Sequence, residues 1–153
     1  MSKALWLLFF LFQLSIFVKS QDTDFEIIRK PINYNSDRKK LSLDYLRDRH
    51  NLIQSQPTIL PKIIVLHYTG GGTLNSNFNY FNKTTIESGR VYNKNQSSLN
   101  VSAHYLIDKN GKVYQLVEDT LFARHTIGLN YCAIGVENIG GDKGPLTSAQ
   151  VVS

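Results

Sequence analysis

The run Lys62-Ile63-Ile64-Val65-Leu66-His67-Tyr68 constrains this chain more than any other segment. Ile63, Ile64 and Val65 are β-branched, lose side-chain freedom in a helix and pack well on a pleated surface, so the run reads as a strand. From Ile63 to Leu66 it shows no alternation of polar and apolar residues. Continuous apolar character of this kind marks a strand buried on both faces, the habit of parallel strands whose crossover helices cover the sheet. Pro57 and Pro61 bracket a turn before it, and Gly70-Gly71-Gly72 follows as a flexible loop. A chain built around such a strand is an α/β domain. The strand delivers His67 to its C-terminal end, where sheets of this class open their grooves.

With 153 residues, 42% of them hydrophobic, the chain has material for one domain with a core of its own. Its first 20 residues stand apart: Lys3 precedes an apolar run from Ala4 to Val18, broken by Gln13 and Ser15, and Val18-Lys19-Ser20 resembles a small-residue cleavage site. The run is shorter than the roughly 18 to 20 apolar residues that span a bilayer. It reads as a removable secretory signal, leaving no stable membrane span, so the protein is expected in the periplasm, cell envelope or extracellular space. Cys132 is the sole cysteine, so no internal disulfide is available and the core must hold the fold. The formal charge of +5 includes Lys3 and Lys19, both in the signal. What remains is mildly basic, and no basic stripe interleaved with aromatic residues points to nucleic acid. Asn82, Asn95 and Asn100 open N-x-S/T sequons, which chance supplies readily in an Asn-rich sequence.

Three segments follow from these signals: a signal peptide at 1–20, a polar N-terminal arm at 21–40, and one domain from 41 onward. Leu43 to Asn51 is predicted as a helix, with Leu43, Leu46 and His50 at helical spacing, Ser42 as N-cap, Asp44 in the first turn and Arg47 and Arg49 near the end. Asn75 to Phe81 is a further helical turn, and Glu87 to Leu99 a polar surface loop. Val101 to Ile107 and Lys112 to Val117 read as strands joined by Asp108-Lys109-Asn110-Gly111, whose Asn-Gly pair signals a hairpin because both positions tolerate positive φ. Ala133 to Ile139 is another apolar strand. Thr147-Ser148-Ala149-Gln150 has the spacing of a capping box that starts a helix. A helix nucleus is worth forming only if it propagates, so the domain is expected to be incomplete at Ser153. The whole predicts a central mixed, mainly parallel sheet flanked by helices.

Histidines and one acid carry the candidate chemistry. A strand-end histidine facing a Gly-rich loop suits a metal ligand, although such a residue alone is more often a hydrogen-bonded core group. His67 has that position. His104, inside Ser102-Ala103-His104-Tyr105-Leu106, reads as structural, and His50 as a surface or packing residue on its helix. His125 lies in a loop before a strand, where its ring is free to meet a ligand. Glu137 interrupts the apolar strand Ala133-Ile134-Gly135-Val136-Glu137, where a carboxylate is costly to bury without a charge, a metal-bound water or several donors. Cys132 is able to ligate zinc, but a lone cysteine beside a strand is more often a small hydrophobe.

Five segments occur in a telling order: Ile64 to Thr69, Asn100 to Ile107, Gly111 to Val117, Ala123-Arg124-His125-Thr126-Ile127-Gly128-Leu129-Asn130, and Ala133 to Asn138. Together, over about Leu41 to Gln150, they resemble the zinc-dependent N-acetylmuramoyl-L-alanine amidases. That family includes cell-wall recycling amidases, phage lysozyme-like amidases and peptidoglycan recognition proteins. The resemblance implies that His67 is the first zinc ligand and that Glu137 is the carboxylate assisting the attacking water. It also implies that His125, Asn130 and Tyr68 bind substrate, which is peptidoglycan or muropeptides. The family's other two ligands, a His and an Asp or Cys, fall beyond the point matched by Gln150, so the chain as given is expected to hold Zn2+ weakly. The implied reaction cleaves the amide joining the lactyl group of N-acetylmuramic acid to L-alanine. In it zinc polarises the carbonyl and lowers the pKa of a bound water to about 7, while Glu137 takes the proton and returns it to the departing amine. The alternatives are a peptidoglycan receptor that binds without cleaving, and an exported structural protein unrelated to the wall.

Overall fold

The computed structural model describes residues 26–87, 97–141 and 144–153. The signal at 1–20, the start of the arm and the sequon at Asn95 lie outside the described residues. Five strands, β1 Ile27–Arg29, β2 Ile63–Tyr68, β3 Tyr105–Ile107, β4 Val113–Gln115 and β5 Ala133–Asn138, form one sheet in the order β1-β4-β3-β5-β2. Only β3 and β4 run antiparallel; the other neighbours are parallel. Among the described residues three helices accompany them: α1 Ser36–His50, α2 Leu74–Asn82 and α3 Ser148–Val151. This is the mixed, mainly parallel sheet with helices that the sequence predicts.

Two expectations are corrected at the N-terminal side. The segment read as an arm supplies β1, and its ladder runs on through Lys30 N–H to the Gln115 carbonyl at 2.9 Å and Ile32 N–H to Leu116 at 3.0 Å. Three strand residues are too few to show a period, which is why the segment reads as irregular. Helix α1 starts at Ser36, not Leu43, because Asn35 is the N-cap, its side chain accepting from the Arg38 N–H at 3.0 Å. Ser42 is buried inside the helix instead of capping it. At the other end Asn51 takes the left-handed conformation, φ 56°, and closes the helix.

The first turns of α1 hide from a hydrophobic pattern because the residue they bury is Arg38, 1% exposed. Its guanidinium donates to the Asn33 carbonyl at 2.9 Å and, through Nη2, to those of Phe81 at 2.9 Å and Lys83 at 2.6 Å. It thereby ties α1 to the C-terminal end of α2. Arg38→Leu leaves those carbonyls dry and unpaired, and hydrogen bonds from a charged group contribute about 1.5 to 3 kcal/mol each. We expect a loss of about 3 kcal/mol or more, read as a lower urea midpoint; an unchanged midpoint contradicts the staple.

Helix α2 opens on a complete capping box between Thr73 and Ser76, and Phe81 buries its ring in a cluster with Ile32, Leu106, Leu116 and Ile139. A second cluster, Tyr45, Leu46, Ile59, Leu99 and Phe122, seats α1. His50 packs between the rings of Tyr45 and Tyr131. Cys132 is buried and free, in keeping with a core that works without disulfides. The Asn100 side chain is 1% exposed and donates to Tyr80 at 2.7 Å, so its sequon is closed in the folded chain.

The expected hairpin forms. Positive φ is confined to Gly111, at 83°, and Asp108 pairs with Lys112 at 3.0 Å. The loop is the three-residue kind, a tight turn followed by a left-handed glycine. The capping box at Thr147 forms as predicted, and Gln150 donates to the carbonyls of Ile139 at 3.1 Å and Ile107 at 3.4 Å, pinning α3 to the strand ends.

The expectation of a strand buried on both faces fails for β2. It is an edge strand, and Ile64, Leu66 and Tyr68 are 64%, 71% and 64% exposed. Alternation sends Val65 and His67 to the other face. An apolar run reports that a strand is apolar, not that a partner element covers it. Among the described residues no helix is long and apolar enough to cross a membrane.

Candidate active site

Parallel pairing of β2 with β5 sets His67 opposite Glu137 and Val65 opposite Gly135 on one face of the sheet. The loop before β5 lays His125 on that face. Gly135 makes room for it: a Cβ there would stand 2.5 Å from His125 Cγ and 2.8 Å from Nδ1. Asn130, fully buried, holds the loop by accepting the N–H groups of His125 at 2.9 Å and Thr126 at 2.8 Å. The His125 ring meets the Ala133 carbonyl through Nε2 at 3.1 Å and His67 Nε2 through Nδ1 at 3.0 Å. His104 lies behind, fully buried, accepting from Gly135 N–H at 3.0 Å and donating to Leu121 at 2.9 Å. Both its nitrogens are taken by backbone, which makes it structural.

Burial governs the electrostatics. Desolvation lowers the pKa of His67, His104 and His125, the last to about 4, so these rings are neutral at neutral pH. Desolvation raises the Glu137 carboxyl to about 7. Its Oε2 is buried with no protein partner.

A cavity of about 290 Å³ opens at this point, with Ser102, Arg124, His125, Thr126, Ile127 and Glu137 among its walls. Of the residues singled out in the sequence, Glu137, His125 and Asn130 border it. His67 reaches it only through His125. Tyr68 does not reach it: strand alternation turns its ring to the opposite face, against Gly141, where a Cβ would lie 2.5 Å from the ring. Sequence reasoning missed Arg124 and Tyr45. The Arg124 guanidinium donates to the carbonyls of Ser97 and Leu99 and lies 5.3 Å from the centre of the Tyr45 ring. Its one signal was a cation directly after the apolar Leu121-Phe122-Ala123.

Among the described residues no group of three His, Cys, Asp or Glu side chains converges as a metal shell. His67 by itself does not make a zinc site. What the arrangement offers unaided is a desolvated carboxyl on the wall of a cavity lined by both polar and apolar side chains, with neutral imidazoles on the same face of the sheet.

The sequence pattern of one protein family, described as N-acetylmuramoyl-L-alanine amidase, matches residues 55–153. The chain belongs to that family. Its fold recurs in solved structures. The amidase LysC from Clostridium intestinale superposes with a TM-score of 0.52 at 19% identity, over 84% of this chain and 68% of its own. AmpD gives 0.52 at 23% identity, covering 82% of this chain and 67% of its own. PlyL gives 0.52 at 19% identity, covering 79% and 62%. The chain thus spans 62% to 68% of the length of these three chains. No curated protein sequence matches it. Members of the amidase family are commonly zinc-dependent.

Proposed function

We propose that the cavity beside Glu137 receives peptidoglycan or muropeptides and that the protein hydrolyses the amide between the lactyl group of N-acetylmuramic acid and L-alanine. The observation that carries this reading is Glu137 itself, an acid with a buried, unpartnered oxygen on the wall of a cavity and a pKa of about 7. A group poised near neutral pH takes a proton from water in one step and returns it to the leaving amine in the next. His67 is this chain's contribution to a zinc site; zinc, when bound, supplies an activated water and a polarised carbonyl. The described residues bring His67 no second and third metal donor. His125 borders the cavity with a ring whose two nitrogens are engaged by Ala133 and His67, and Asn130 holds its loop. Tyr68 is left out, being on the far face. Residues 1–20 act as a signal for export, which puts the protein where its substrate lies.

Incubated with purified sacculi, the protein with a full set of zinc ligands is expected to release new α-amino groups, those of L-alanine, without new reducing sugar ends. Reducing ends in their place mark a glycosidase and overturn the reading. One rival is a receptor that uses the same cavity and binds without release. Retained fragments with no new amino groups decide for it.

A further inference from the structure

We propose that His125 is a positioning residue that fixes the tautomer of His67, so that His67 offers Nδ1, and only Nδ1, as a free lone pair. The Ala133 carbonyl, 3.1 Å from His125 Nε2, only accepts, so that nitrogen carries a hydrogen. An imidazolium at this position would be a buried charge with no anionic partner on either nitrogen, so the ring is neutral and its Nδ1 is bare. The 3.0 Å contact to His67 Nε2 is then a hydrogen bond donated by His67. Its length agrees with that role. Two nitrogens bound to one zinc at about 2.1 Å in tetrahedral geometry stand about 3.4 Å apart. A spacing of 3.0 Å is that of an N–H···N bond and not of a shared ion.

The fold holds this partner from three sides. Gly135 leaves the space its ring fills, Ala133 fixes its edge, and Asn130 grips the backbone of its loop. With both nitrogens committed, His125 has none left for substrate. Partners of this kind set which nitrogen of a histidine meets a metal, and losing them costs about 10- to 100-fold in metal affinity. The consequence for metal rests on reading His67 as a ligand; the tautomer does not.

Two-bond ¹H–¹⁵N correlation of the imidazole nitrogens in the metal-free ¹⁵N-labelled chain tests this. The native chain is expected to show His67 protonated at Nε2 and bare at Nδ1; a proton on Nδ1 overturns the proposal. In His125→Leu, His67 is expected to become a mixture of tautomers and to bind zinc about 10- to 100-fold more weakly. In His125→Asn, whose Oδ1 takes the place of the ring Nδ1, the single tautomer returns. The His104 pattern, set by Gly135 and Leu121, reports whether the fold survives. An unchanged His67 in a folded His125→Leu overturns the proposal. If that variant unfolds, a tautomer mixture in His125→Asn overturns it instead. Zinc added to the native chain that leaves His67 Nδ1 unmoved defeats the ligand reading alone.

Discussion

Glu137→Gln lowers amide turnover by roughly 10² to 10⁴, the scale of general acid and base catalysis, and in the same variant raises stability above pH 7. Both effects come from one cause, a carboxyl that burial has lifted from 4.5 to about 7. The folded, metal-free chain binds this proton more tightly than the unfolded chain does. The contribution to stability is therefore complete below pH 4.5 and is lost as pH rises through 7. Glutamine has no charge to bury and loses nothing over that window. At 1.36 kcal/mol per pKa unit, discounted for partial solvent access, the gain at pH 8 is about 2 kcal/mol, or several degrees in melting temperature. Thermal melts at pH 4.5 and pH 8 should show native and variant alike at the first and the variant ahead at the second. Equal melts at both pH values contradict the buried charge. Zinc content measured beside the kinetics separates chemistry from support: metal lost in step with activity makes Glu137 a structural residue.

Gly135→Ala should cost about 3 kcal/mol, although it adds a single methyl group. The new Cβ would sit 2.5 Å from His125 Cγ, well inside contact distance, and the atom it meets belongs to a ring held at both nitrogens. Overpacking a tight site costs about 1 to 3 kcal/mol, and each hydrogen bond given up adds about 1 more. Moving the ring out breaks its bonds to Ala133 and His67 and pushes it into the cavity, so binding of muropeptide falls with stability. Chemical denaturation measures the first and a binding titration the second. An alanine accepted within 0.5 kcal/mol, a change typical of neutral surface positions, shows that the ring does not lie where it is described.

Local chemistry was legible in the sequence, and contacts at a distance were not. The β2 and β5 runs, the Asp108–Gly111 hairpin and the Thr147 capping box each announce themselves within a few residues. β1 does not, because a three-residue strand shows its nature only in its pairing with β4. Nor does the start of α1, whose buried residue is an arginine satisfied by carbonyls near residues 33 and 81–83. In the site, Glu137 stood out as a lone acid in an apolar strand. Gly135 did not, since its purpose is a ring that arrives from ten residues away in sequence. The place of Tyr68 was within reach: it follows His67 in the same strand, and neighbours in a strand point to opposite faces.

The central claim is that the cavity bounded by Glu137 and His125 is where a muropeptide binds. Titration of the ¹⁵N-labelled chain with N-acetylmuramyl-L-alanyl-D-isoglutamine, followed by backbone amide shifts, tests it most directly. The account predicts saturable shifts at Ser102, Thr126, Ile127 and Glu137, with Ile64 and Leu66 on the opposite face unmoved. No binding, or shifts confined to Ile64, Leu66 and Tyr68, contradicts it.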